Sequence, residues 1–163
     1  MEASERQVKL AQKLSEFRQR SQLKATQQLS IELGIPSDCC TIHLPNTSAS
    51  QQLEEWLSTS FPWQCGQIDW QKVAGSICVK CHSHPEEASA FDYVCQTQQL
   101  GNPLVNVMWF SAHRSTLEIP LEFVKQSLVE IVAEDWDTWI FEPISGWCIE
   151  FYHEGTMCYG VSR

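Results

Sequence analysis

Residues 78–84 bring together side chains that bind metals and activate nucleophiles: Cys78, Cys81, His82 and His84, with Cys95 further along. Cys-x-x-Cys-His is the spacing of covalent haem attachment, a chemistry of exported proteins. The start MEASERQVKLAQ lacks the apolar core of a secretory signal, which argues against that reading. Two thiolates three residues apart share a zinc ion when a turn points both inward. Val79 and Lys80 supply no turn chemistry, and on a strand positions three apart face opposite ways. A zinc-binding or thiol-dependent protein centred on Cys78, Cys81, His82 and His84 therefore stands as an alternative, and no metal, cofactor or catalytic residue is assigned. Cys40 with His43, or Cys81 with His82 and His84, holds the parts of a thiolate–imidazole pair. Neither comes with an oxyanion loop. The eight cysteines are expected as free thiols, mostly packed in the core.

Carboxylates gather in the C-terminal part of the chain. Glu134, Asp135, Asp137, Glu150 and Glu154 interleave with Trp136, Trp139, Phe141, Trp147, Phe151, Tyr152 and Tyr159. Two acids across a cleft could run glycoside hydrolysis, but acids on a charged face ordinarily just solvate it. Aromatic side chains instead give contact area at low entropy cost, and surrounding acids select a basic partner. Strand alternation turns Trp147, Ile149 and Phe151 inward and places Cys148, Glu150 and Tyr152 on the opposite, outer face. Glu134, Asp135, Asp137, Glu150, Tyr152 and Glu154 are thus the partner-binding candidates. His113 and Arg114 read as a polar loop pair after a strand ending at Phe110.

The elements that must hold these residues are legible from periodicity. Leu10, Leu14, Phe17, Ala25, Leu29 and Leu33 fall near helical spacing over residues 4–33, giving one long helix or two, stopped by Gly34 and Pro36. Residues 38–44 read as a short strand, and Ser48 with Gln51 reads as a capping box opening a helix through Leu53, Trp56 and Leu57. Residues 61–70 (FPWQCGQIDW) read as an irregular but buried loop. Residues 76–82, 91–97 and 104–110 read as strands, the last two pairing through the turn at Gly101-Asn102-Pro103. Pro120 starts a helix with Leu121, Val124, Leu128, Ile131 and Val132 on one stripe, and the last 27 residues read as a three-strand meander. The expectation is a single α+β domain over residues 1–163: a helical segment at 1–34, then a sheet-containing body at 36–163 with helices packed on one face of an antiparallel sheet.

Composition fits that domain. The 163 residues carry 43% hydrophobic side chains, 11 Lys plus Arg and 20 Asp plus Glu. No phosphate loop, dinucleotide fingerprint, nucleophile elbow or metalloprotease helix is present. Charge divides the chain: residues 1–24 balance to plus 3 and the remainder to minus 12, with no Lys or Arg at 126–162. Such a field repels nucleic acid and anionic membrane and steers basic partners inward. A cytoplasmic location, no nucleic-acid or membrane partner, and a basic protein partner are the resulting expectations. The basic N-terminal helix offers a further alternative, an assembly or scaffold subunit.

Residues 119–160 (IPLEFVKQSLVEIVAEDWDTWIFEPISGWCIEFYHEGTMCYG) combine a Pro-started helix, a Trp-bearing strand, the run WCIEFYHEG and a final Tyr-Gly strand. This stretch resembles the C-terminal unit of small acidic immunity proteins encoded with bacterial polymorphic and contact-dependent toxins. The resemblance implies a non-enzymatic inhibitor that binds a toxin's catalytic domain, often a basic nuclease, and occludes its active site. Those families share no catalytic residues, so the contacts it implies are the acidic and aromatic positions above.

Overall fold

The computed structural model describes residues 2–162. Helix α1 (Glu2–Glu32) is one continuous helix. Gly34, at φ 68°, ends it in the left-handed conformation, with Gly34 N–H donating to Ile31 O and Ile35 N–H to Ser30 O. Those two bonds satisfy carbonyls that a helix end otherwise leaves bare. A 3-10 turn (Ser37–Cys39) leads into β1 (Thr41–His43), shorter than the strand expected over 38–44. Helix α2 (Ser48–Ser60) is capped by Thr47, with Ser50 completing the box. The cap therefore sits one residue before the expected Ser48, and Ser50 rather than Gln51 answers it.

Residues 61–70 are buried as expected but not irregular. Strands β2 (Trp63–Gln64) and β3 (Gln67–Ile68) form a hairpin whose turn residues Cys65 and Gly66 both have positive φ. That is the turn whose twist matches paired strands, and Cys-Gly is an uncommon way to write it. After a 3-10 turn (Trp70–Lys72) comes β4 (Ile77–Lys80). Residues 91–97, expected as a strand, belong instead to helix α3 (His84–Thr97). Ser83 caps it, Pro85 sits in its first turn, and Phe91, Val94 and Cys95 bury one helical stripe. The expected hairpin with residues 104–110 is accordingly absent.

Strand β5 (Leu104–Trp109) pairs with β6 (Thr116–Pro120). The helix begun after Pro120 is two short ones, α4 (Leu121–Gln126) and α5 (Leu128–Ala133), parted at Ser127, whose hydroxyl donates to Leu33 O at 2.8 Å. The meander is present as β7 (Thr138–Glu142), β8 (Trp147–Tyr152) and β9 (Thr156–Val161). All seven long-range strands join one antiparallel sheet in the order β1-β6-β5-β7-β8-β9-β4. The protein is thus a single α+β domain.

Helices α3, α4 and α5 and the end of α1 cover one face, over Val105, Val107, Leu117, Ile119, Ile140, Ile149 and Phe151. The opposite face is covered too. Leu53, Trp56 and Leu57 of α2, with Trp63, Ile68 and Trp70, lie on Trp139, Phe141, Cys148 and Cys158. Gly160 makes room there: a Cβ would come within 2.8 Å of both Trp70 and Val73 side chains. Cys78 and Cys158 face each other across β4 and β9 and form a disulfide, so the expectation of free thiols fails for this pair. The remaining six cysteines are free.

Candidate functional site

The sequence-named acids converge only in part. At the ends of β7 and β8, a cleft of 560 Å³ is lined by His84 and Glu87 of α3, the segment from Val132 to Trp136, and Phe151, Tyr152 and His153. Three of the six candidates, Glu134, Asp135 and Tyr152, line it, and Asp137 and Glu154 lie next to lining residues.

Asp137 is buried, which corrects its reading as a surface contact. Its Oδ1 accepts from the backbone N–H of His153 at 2.8 Å and meets His153 Nδ1 at 2.9 Å. An ionised carboxylate can only accept, so the ring nitrogen facing it, Nδ1, is a donor. The imidazole is braced further by the Tyr152 ring at 4.2 Å and the edge of Trp136 at 4.9 Å. His84 is held likewise, with Nδ1 2.8 Å from Glu87 Oε2. The Tyr152 hydroxyl is held above its ordinary pKa of 10.0, first by burial and then by the Glu154, Asp137 and Glu150 carboxylates, so it remains a neutral donor.

Glu134 and Asp135 are spent on Arg114. The guanidinium donates to Glu134 Oε2 at 2.8 Å and to Glu134 O at 2.7 Å, and its Nε lies 3.5 Å from Asp135 Oδ2. Asp135 also accepts from Ser111 N–H at 2.9 Å and Trp136 N–H at 2.8 Å. Arg114 is thereby neutralised and offers no anion site of its own. Glu154 is exposed, and the Lys80 ammonium bonds its backbone carbonyl. Trp136 stands out of the cleft with 69% of its surface in solvent.

Glu150 is corrected outright. It is 2% exposed, beneath the β2–β3 hairpin, where its carboxylate accepts from Ile68 N–H at 3.2 Å, Trp139 Nε1 at 2.8 Å and Trp70 Nε1. Burial pushes its carboxyl above the usual 4.5, and those three donors oppose the shift. Glu150 fastens the hairpin to the sheet and offers almost no surface to solvent.

The 78–84 cluster does not assemble a metal site. Cys78 is sulfur-bonded to Cys158, Cys81 faces the core, and His82 and His84 are exposed. Among the described residues no group of three or more His, Cys, Asp or Glu side chains has metal-holding geometry. Burial raises the thiols of Cys40 and Cys81, lifts Cys95 to about 11 and sends Cys148 well above 9.0. None of these is a ready thiolate at neutral pH.

Trp136 and His153 line the cleft and Arg114 ties down its two acids; Trp136 was among the aromatic positions that the resemblance implied as contacts, whereas His153 and Arg114 were not set among them. The signal for Trp136 was its place between Asp135 and Asp137, just ahead of a strand, where alternation no longer forces it inward. No known family model matches the chain, and no characterised protein matches it in sequence.

Proposed function

We propose that the protein is a non-enzymatic binding module that takes a basic protein partner at the cleft around Trp136. The immunity-like pattern of residues 119–160 makes the preferred partner a toxin catalytic domain, such as a basic nuclease, whose active site the module covers. One observation carries the reading: a tryptophan 69% exposed in a stretch, residues 126–162, with no Lys or Arg. A water-exposed indole beside a cleft is the kind of anchor that dominates interface energies. Glu130 and Glu154 are exposed on the segments that border the cleft and supply the attraction for basic charge. The buried Asp137 and Glu150 leave the contact set, and Glu134 and Asp135 act in it through their pairs with Arg114.

The test is capture of binding proteins at low and moderate salt with wild type, Trp136→Ala and Glu154→Lys. The expected result is a stoichiometric basic protein that weakens as salt rises, with Trp136→Ala reducing affinity at least about tenfold, or about 1.4 kcal/mol. Glu154→Lys should slow association and flatten its salt dependence. An identical bound set with all three proteins would remove this cleft from consideration.

A further inference from the structure

Cys78 and Cys158 stand directly opposite each other on β4 and β9, bonded through their sulfurs across a separation of 80 residues. The two sulfurs differ in access. Cys78 is exposed, whereas Cys158 is 5% exposed within the cluster that holds Trp70 and Trp139. A nucleophile therefore reaches the bond at the Cys78 sulfur, with Cys158 as the leaving group. The other six cysteines are free thiols, Cys65 in solvent among them. Where surroundings keep thiols reduced, a disulfide is ordinarily transient or redox-sensing, and an exposed bond is the labile kind.

The strand held by this bond is otherwise lightly attached. β4 has four residues, stands at a border of the sheet and, among the described residues, pairs with β9 alone. Ile77 and Val79 are half-buried toward the helices, and Lys80 is exposed. At its end β4 clasps the turn between β8 and β9: Lys80 Nζ donates to Glu154 O, and Cys81 N–H donates to Gly155 O at 2.8 Å. Gly155 is fitted to that clasp, since a Cβ there would come within 2.5 Å of Cys81 O. After Cys81, His82 and Ser83 the chain enters α3 with His84 and Glu87, one wall of the cleft. The opposite wall, Tyr152 and His153, leads straight into the clasped turn. The end of β4 thus ties the two walls together.

We propose that the Cys78–Cys158 bond is a redox latch, opened by a dithiol reductant, and that opening it frees β4 from β9 and loosens the cleft edge at residues 80–84 and 152–155. A thiolate of the dithiol attacks the Cys78 sulfur, the bond to Cys158 breaks, and the Cys158 sulfur leaves with the electron pair and takes up a proton. The second thiol of the reductant then displaces Cys78 from the mixed disulfide, so the protein gains two thiols and the dithiol becomes a disulfide. A disulfide oxidant closes the latch by the same steps in reverse. The rest of the sheet persists, because β9 keeps its pairing with β8 over Thr156–Val161. The latch does not depend on what the cleft binds.

Alkylation and hydrogen exchange on the folded protein test it. Dithiothreitol without denaturant should make Cys78 and the buried Cys158 alkylatable while helix and strand content stay unchanged. Amide exchange should speed about tenfold or more over residues 77–81 and 153–156 and stay as it was over β5, β6 and β7, and trypsin should cleave faster after Lys80. Glutathione disulfide should restore the slow pattern. Cys78→Ala, at an exposed position, should show the fast pattern with or without reductant, and Cys65→Ser should respond as wild type does. A bond that dithiothreitol opens only after denaturation, global unfolding on reduction, or exchange at residues 77–81 that is the same in both states would each overturn the proposal.

Discussion

Under α3, α4 and α5 the sheet presents Val105, Val107, Leu117, Ile119, Ile140 and Ile149 beside the larger Trp109, Trp147, Phe151 and Tyr159, and apart from the Trp109 indole bond to Ile131 O the contacts there are apolar. Under α2 and the β2–β3 hairpin the same strands present Trp139, Phe141 and Glu150, met by Trp63 and Trp70. The first face is held by volume: any side chain of similar size and shape would serve, because dispersion and burial have no direction. The second is held by direction, since two indole N–H groups and one backbone N–H need one acceptor at one place. One sheet therefore carries a tolerant face and an exacting one.

The largest test of that contrast is Glu150→Ala. It leaves three buried donors without a partner, each costing about 1–3 kcal/mol, so a loss of about 4 kcal/mol or more is expected in urea denaturation, with early proteolysis of the hairpin. A loss below about 1.5 kcal/mol would mean that water replaces the carboxylate and the face is less exacting than described. On the tolerant face Ile149→Ala should cost about 3 kcal/mol by lost burial and cavity formation. That cost should not change with pH.

The smallest effect is the most diagnostic. Glu150→Gln keeps the shape but turns an NH2 group toward one of the donors, for a loss of about 1.5 kcal/mol. The sign of its pH dependence follows from linkage. Burial raises the folded carboxyl above its ordinary 4.5, so the folded protein holds that proton more tightly than the unfolded chain. Its contribution is fully present below 4.5 and is lost as pH rises through the raised value. The stability gap between wild type and Glu150→Gln should therefore narrow from acid toward neutral pH, read from paired denaturation curves. A gap that widens would reverse the assignment of burial as the dominant influence on this group.

What could be read in the sequence was what neighbours in the chain decide. The meander was legible because three alternating runs are joined by short turns, and α1 because its stripe ends at a glycine suited to positive φ. α3 was misread because residues 91–97 satisfy a period of two about as well as one of 3.6. The deciding signals, Ser83 and Pro85, lie upstream of the apolar run. The hairpin at Cys65-Gly66 was hidden by its atypical turn pair. Glu150 was beyond reach: alternation correctly put it opposite Ile149, but what covers that face is Ile68 and Trp70, some 80 residues earlier. The Cys78–Cys158 bond is hidden the same way, by a separation of 80. Among the candidate contacts, local patterning found the neighbourhood of the cleft but could not tell an acid facing solvent from one facing an arginine or an indole.

The order of the strands limits how anything can join this sheet. Its two borders are its shortest members, β1 with three residues and β4 with four, while the strands between them have five or six. β4 is also locked to β9 by the disulfide, so while that bond is closed it cannot peel away to admit a visitor. A peptide adding itself as an eighth strand would find too few free backbone groups to hold it, and the same shortage protects the protein from stacking border to border into aggregates. Recognition is left to side chains, at the tryptophan-rimmed cleft, where one residue exchanged for another can change the partner without disturbing the sheet.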